Sequence, residues 1–127
     1  AMENALAEQE AYLKEQAQKR AILAKQQEIV TNITNNRLAV NDAKIAAYGY
    51  FGYHKNKVSQ QAYNDYYAAN QWLYLSYCDL KNFVAENPFY EPSGSNSLAS
   101  LKAEIAANNK ELKQIKKDNK LKAAPGI

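Results

Sequence analysis

The apolar residues between positions 58 and 84 recur at steps of three and four, the spacing that places side chains on one face of a helix. The members of this series are Val58, Ala62, Tyr66, Ala69, Leu73, Tyr77, Leu80 and Val84. Val58, Ala69 and Leu80 share one phase of an eleven-residue repeat, whose period is close to that of a straight helix. The pattern predicts a strongly apolar helix that packs between other helices or offers one face to a partner.

Residues 3–48 are predicted to form a long first helix. One seam runs through its second half and consists of Ile22, Ile29, Ile33, Val40 and Ala47. The Thr31–Asn36 run is rich in poor helix formers, so a bend there is the alternative. Because the seam keeps its phase through this run, one continuous helix is favoured. Its length would be ~68 Å at ~1.5 Å per residue, and its sparsely apolar first turns are expected to project.

Two glycines, Gly49 and Gly52, lie among aromatic residues and predict a helix–helix turn at 49–56. The alternative is that the first helix runs straight into the second, at a cost of ~1 kcal/mol for each glycine. Asn56 is the predicted N-cap of the second helix, which spans about 57–86.

A loop at 87–96 follows, because Pro88, Pro92 and Gly94 interrupt any helix there. The aromatic side chains of this loop, Phe89 and Tyr90, are expected to fold back onto the end of the bundle.

The third helix is predicted at 97–122, after a serine cap within Ser95–Ser97, with a tail at 123–127. Its heptad series is Leu98, Leu101, Ile105, Asn108, Leu112, Ile115 and Asn119. The fold expected for the single domain 1–127 is therefore all-α: an antiparallel, coiled-coil-like three-helix bundle with one long N-terminal helix. The second and third helices are expected to pack antiparallel.

The composition is that of one globular domain, with 127 residues, 46% apolar and 23% charged. Cys78 is the only cysteine, which fits a reducing compartment and equally an exported helical protein without disulfides. No apolar run approaches the ~18 residues of a membrane span. Ala1 and Met2 resemble a tag-cleavage remnant, so the sequence leaves open a removed upstream segment and the localisation.

No spacing typical of catalysis, cofactor binding or metal binding is present. His54, the only histidine, has no nucleophile or carboxylate near it in sequence and is interpreted as a turn residue. Cys78 lies well inside a helix, away from the cations or helix N-terminus that activate thiols. The sequence therefore predicts a protein that is not an enzyme and uses no cofactor or metal.

The strongest contact feature is a second strip on the middle helix, formed by Tyr63, Tyr67 and Tyr74, with Trp72 and Phe83 on the other flank. Tyrosine and tryptophan are enriched at protein interfaces because they bury a large ring and keep a polar tip. These five residues are predicted to bind a protein partner or a second copy, since two narrow seams would not cover so wide an arc. The alternative is that the other helices cover the strip internally.

The strongest electrostatic feature is a lysine-rich outer face on the third helix. Residues 97–127 carry seven lysines against three acids, so this segment has a charge of +4. The lysines in question are Lys110, Lys113, Lys116, Lys117, Lys120 and Lys122. A contact with nucleic-acid phosphates is the alternative function, although no aromatic residue lies among these lysines in sequence to stack on bases.

Four polar residues occupy seam positions, namely Gln26, Asn36, Asn108 and Asn119. Such residues reduce stability and set register or partner choice. With these seams the chain resembles secretion chaperones, phage assembly proteins and minor surface components at the level of fold. The expected function is a non-enzymatic interaction module that works by helix–helix docking, as an assembly, scaffold or chaperone component.

Overall fold

The computed structural model describes residues Met2–Gly126, which form three α-helices. These are α1 (Met2–Tyr48), α2 (Gln60–Glu86) and α3 (Leu98–Asp118), with two short 3₁₀ turns between α2 and α3. The described residues contain no β-strand. The prediction of an all-α, three-helix protein with a long N-terminal helix is confirmed.

Helix α1 is continuous through the Thr31–Asn36 run, as the phase of the seam predicted. Ile33 is fully buried there, and the Asn36 amide donates hydrogen bonds to the Trp72 carbonyl (3.2 Å) and to the Ser76 hydroxyl. These contacts with α2 offset the low helix propensity of the run. The turns before Ile22 are exposed and project beyond the bundle, as expected.

Helix α2 lies between α1 and α3 and supplies the centre of the core. It runs antiparallel to both neighbours. Tyr66 contacts Glu111 of α3, and the later Asn70 contacts the earlier Asn108. Ser76 likewise contacts Asn36 of α1, and the later Phe83 lines a cavity with the earlier Ile22. The predicted antiparallel packing of α2 and α3 is therefore confirmed. The buried apolar side chains nearest the middle of the bundle are Ile33, Val40, Tyr66, Leu73, Leu80 and Leu101.

The predicted helix caps are only partly right. Ser59, not Asn56, caps α2, because its hydroxyl accepts a hydrogen bond from the Ala62 amide at 3.1 Å. Ser97 caps α3 as expected, accepting from the Ser100 amide at 3.2 Å.

The end of α3 comes earlier than predicted, at Asp118 instead of residue 122. Asn119 ends the helix because its side-chain amide donates to the Ile115 carbonyl at 2.9 Å. Lys120 then adopts the left-handed region with φ of 53°, a conformation that cannot continue a right-handed helix.

Arg37 links α1 to the beginning of α3 and to the loop before it. Its guanidinium pairs with both carboxylate oxygens of Glu104, at 3.0 and 3.1 Å. It also donates to the Asn96 side chain and the Ser95 carbonyl, each at 3.0 Å. The Nε–H is shared between the two Glu104 oxygens, while the two terminal nitrogens serve Asn96 and Ser95. The guanidinium thus joins α1 to three residues at the beginning of α3 and in the loop before it.

The two aromatic residues of the loop behave differently. Tyr90 packs against the core as expected, and its carbonyl accepts a hydrogen bond from Gln26. Phe89 is 98% exposed, so the prediction that it folds back onto the bundle is wrong.

Candidate interaction site

The connection between α1 and α2 is a tight turn, as predicted. Gly49 (φ 81°) and Gly52 (φ 71°) both adopt the left-handed region, which only glycine enters without strain. The Gly49 amide donates to the Ile45 carbonyl at 2.8 Å and ends α1. Three aromatic residues of this connection, Tyr50, Phe51 and Tyr53, are called the aromatic turn below.

The side chains of the aromatic turn point away from the bundle. Tyr50 is 83% exposed, Phe51 81% and Tyr53 79%. The Phe51 and Tyr53 rings contact each other with centroids 5.7 Å apart. Contiguous exposed aromatic surface on a folded protein usually marks a contact with another molecule.

Glu111 on α3 holds the base of the turn. Its carboxylate accepts hydrogen bonds from the hydroxyls of Tyr48 and Tyr66, the latter at 3.0 Å, and from the Lys55 ammonium at 3.2 Å. The Lys55 ammonium also lies 5.1 Å from the centre of the Tyr48 ring. One carboxylate therefore joins the end of α1, the turn and α2 to α3.

Asn119 holds the other side of the turn. Its side-chain amide donates to the Lys55 carbonyl at 2.8 Å, and its side-chain oxygen accepts from the Val58 amide at 3.0 Å. Because the turn backbone is fixed at several points, binding through its aromatic side chains requires little further ordering of the chain.

The hydrogen bonds at Glu111 shift three pKa values. Burial raises the pKa of Tyr48 and Tyr66 above the ordinary 10.0, and the neighbouring Glu111 carboxylate raises them further. Burial also pushes the pKa of Glu111 upward, but the hydrogen bonds from Tyr48, Lys55 and Tyr66 outweigh it and leave that pKa below 4.5. Glu111 is therefore an ionised, structural carboxylate.

The fold places the lysines at the end of α3 beside this turn. The Lys122 amide donates to the Gln60 side chain at 2.8 Å, and Asn119 contacts the turn backbone directly. A shallow cavity at this end of α3 is lined by Lys113, Lys116, Lys117, Lys120 and Leu121. The sequence placed no aromatic residue among these lysines, whereas the structure brings the aromatic turn to the same end of the bundle.

The predicted strip on α2 does not form one exposed surface. Tyr63 (4% exposed) and Phe83 (6%) lie in the core, so the expectation that they are uncovered is wrong. Helices α1 and α3 pack on opposite flanks of α2 and cover a wider arc than their narrow seams indicated. Tyr67 is partly buried, and Trp72 and Tyr74 are about half exposed.

The remaining candidate residues show no arrangement typical of a reactive site. His54 is exposed in the turn, and Cys78 is a partly buried free thiol next to Tyr74. Within Met2–Gly126 no three His, Cys, Asp or Glu side chains cluster as metal ligands would. None of the described helices combines the length and apolar character needed to cross a membrane.

The aromatic turn is the feature that the sequence did not identify as a contact site. The signal in the sequence was the five-residue stretch Gly49-Tyr-Phe-Gly-Tyr53, which holds three aromatic residues and two glycines. A stretch this short does not readily bury all three rings. The direction of the turn backbone decides whether these side chains fold back onto the bundle or point outward. The spacing of apolar residues along the chain does not reveal that direction.

Comparison with protein-family models, with curated proteins and with solved structures finds no match to this chain. The fold and surface define the class only as an all-α protein with an aromatic turn at one end of a three-helix bundle.

Proposed function

We propose that this protein is a non-enzymatic helical interaction module, and that the aromatic turn is its main contact with a protein partner. The observation that supports the proposal is the exposure of Tyr50, Phe51 and Tyr53, about four-fifths each, on a turn whose base is fixed. Such a module would serve as an assembly, scaffold or chaperone component.

The geometry of the turn suits insertion into a recess on the partner. Its aromatic side chains are exposed at one end of the bundle, and they bring large contact areas with few rotatable bonds. Interfaces derive most of their binding energy from a few such side chains surrounded by polar contacts. Lys57, exposed beside the turn, would belong to the polar rim.

The outer side of α2 is a secondary surface for helix–helix docking. Trp72, Tyr74 and Leu75 are about half exposed there. Tyr74 borders α3, and Trp72 lies roughly 200° around α2 from Tyr74 by the ~100° per residue rule. The two rings therefore lie on different flanks and would meet different parts of a partner. In this proposal the helix face extends an interface that the aromatic turn begins.

The proposal is tested by comparing the wild type and two variants as immobilised baits in an extract, with quantitative mass spectrometry of the captured proteins. The triple variant Tyr50→Ser, Phe51→Ser, Tyr53→Ser is expected to lose specific partners while its melting temperature stays unchanged. The matched control is Trp72→Ser with Tyr74→Ser, which removes aromatic surface from α2 and leaves the turn. If the triple variant captures the same proteins as the wild type and the control loses them, the α2 face carries the contact.

A second candidate function is binding of single-stranded nucleic acid. The observation that favours it is the proximity of the aromatic turn to the lysine-rich end of α3, because single-strand sites combine cationic grooves with stacking rings. Glu104 is paired with Arg37 and Glu111 with Lys55. Because these two acids of α3 already have partners outside the helix, they neutralise little of the charge of the α3 lysines.

Fluorescence anisotropy with labelled single-stranded DNA and RNA at two salt concentrations tests the second candidate. Binding is expected to weaken steeply with salt and to be reduced by Lys117→Ala with Lys120→Ala. Lys14→Ala with Lys19→Ala, on exposed lysines far from the turn, is the matched control. Binding that is absent at low salt, or that both double variants reduce equally, would contradict this function.

A further inference from the structure

The first turns of α1 form an arm that nothing in the described chain covers. From Met2 to Ala21 every described side chain is exposed except Gln16, which is partly buried. At ~1.5 Å per residue this N-terminal arm is about 30 Å long. Most of the stability of a helix in a protein comes from packing of an apolar face against other elements, so the arm would gain stability from a second helix packed along it.

An apolar strip that faces away from the bundle runs along the arm and continues to Leu23, just past its end. Met2, Leu6, Leu13 and Leu23 follow one heptad seam, with Gln9, Gln16 and Arg20 in the intervening positions. By the ~100° per residue rule these four residues lie roughly 120–180° around α1 from Ile29, which faces the core. Each is exposed by half or more. A helix that packed on this strip would not meet α2.

The charges along the arm favour one orientation of such a helix. Residues 2–11 contain Glu3, Glu8 and Glu10 and no cation, for a charge of −3. Residues 12–25 contain four Lys or Arg against Glu15, for a charge of +3. A second copy in parallel orientation would place like charges beside each other, whereas an antiparallel copy would place each acidic segment beside a basic one.

We infer that the arm is a dimerisation element that pairs antiparallel with the arm of a second copy of this chain. The register that aligns Leu6 with Leu23 of the second copy also brings Gln9 opposite Arg20. In that register Glu3 lies near the height of Lys25 of the other copy, and Glu8 near that of Lys19. Apolar contact and opposite charge therefore select the same alignment. The inference is independent of the aromatic turn.

Sedimentation velocity over about a hundredfold concentration range tests the pairing, since a monomer–dimer equilibrium depends on concentration. The wild type is expected to dimerise, and Leu6→Glu with Leu13→Glu to remain monomeric with the melting temperature of the bundle unchanged. Leu38→Glu is the matched control, because Leu38 is 55% exposed, as Leu6 (53%) and Leu13 (54%) are, but lies outside the arm. A wild type that stays monomeric throughout, or a dimer that survives the arm variant, overturns the inference.

Charge reversal tests the electrostatic part. Replacing Glu3, Glu8 and Glu10 by lysine is expected to abolish dimerisation, and so is replacing Lys14, Lys19, Arg20 and Lys25 by glutamate. Mixing the two variants is expected to restore a heterodimer, because opposite charges face each other again. If each variant dimerises as the wild type does, charge does not select the pairing and the inference fails.

Disulfide cross-linking tests the orientation, in a Cys78→Ser background that removes the native thiol. A mixture of Gln9→Cys and Arg20→Cys chains is expected to form a covalent heterodimer under mild oxidation. The Gln9→Cys chain alone is expected to form little, because the two cysteines would lie far apart along the pair. Efficient cross-linking of Gln9→Cys with itself would show parallel pairing and overturn the inference.

Discussion

The side-chain amide of Asn108 on α3 donates a hydrogen bond of 2.9 Å to the side-chain oxygen of Asn70 on α2, inside the bundle. Asn70 in turn donates to Asn109 at 2.9 Å, and both Asn70 and Asn108 are buried. A shift of one residue between the two helices would leave these groups unpaired, at a cost of about 1–3 kcal/mol for each. The pair therefore specifies the register of α2 against α3.

The first prediction concerns this pair. Asn108→Ala is expected to lower the free energy of unfolding by about 1–3 kcal/mol, because it leaves the buried Asn70 oxygen without its donor. Urea unfolding measures the change. Replacing both Asn70 and Asn108 by leucine is expected to cost less than the single variant, since neither partner is then left unpaired. A double variant that costs more would mean that the pair contributes mainly through packing.

The second prediction concerns acid. Because the folded-state pKa of Glu111 lies below its reference value of 4.5, its ionised carboxylate stabilises the fold above that value. This contribution is lost as pH falls through the folded-state pKa. Glu111→Gln is therefore expected to destabilise the protein at about pH 7 and to differ less from the wild type at about pH 3. Urea unfolding across this range, with the exposed Glu86→Gln as reference, measures the difference; a gap that does not narrow on acidification contradicts the assignment.

The third prediction separates core from surface. Leu73 is fully buried on α2, and Leu73→Ala is expected to cost about 2–5 kcal/mol through lost burial and a residual cavity. Lys117 is exposed on α3, and Lys117→Ala is expected to remain within about ±0.5 kcal/mol. Thermal melts of the two variants should differ clearly, and equal shifts would show that the faces of the helices are wrongly assigned.

The fourth prediction concerns the backbone of the turn. Gly49 has φ of 81°, and a Cβ added there would meet its nearest atom, Cδ2 of His54, at an ordinary contact distance of 3.7 Å. Gly49→Ala is therefore expected to cost about 1–2 kcal/mol through backbone strain alone. Gly126→Ala is the control, because an added Cβ there would likewise meet no clash, and Gly126 has no positive φ. Equal stability of the two variants in urea unfolding would indicate that the turn relaxes freely and is not held by α3.

Periodicity was sufficient to predict the fold because each helix buries one seam. Ile33 and Val40, Leu73 and Leu80, and Leu101 were assigned to seams from spacing alone, and all five are buried. The first and last residues of each helix were harder to predict from the sequence. Two residues before α2, Asn56 and Ser59, are able to cap a helix, and the sequence does not show that Ser59 is the one that does so.

The candidate site could be predicted only in part, because exposure depends on how three helices are arranged around one another. The sequence shows that Tyr63 lies beside the core seam, but not that the bundle covers that flank and leaves Tyr63 only 4% exposed. Likewise, the polar seam residue Asn119 was interpreted as a determinant of register or partner, whereas its amide and carbonyl oxygen hold the turn of its own chain. Contacts across more than sixty residues of sequence leave no local pattern.

The hydrogen bonds from Asn119 to the turn have a consequence for biosynthesis. Asn119 follows Lys55 and Val58 by more than sixty positions. At about 5–20 residues per second, a ribosome therefore makes Asn119 roughly 3–13 s after the aromatic turn. During that interval the backbone that carries the aromatic turn lacks these hydrogen bonds. The two Asn119 hydrogen bonds that hold the turn are therefore available only after the whole of α3 has been made.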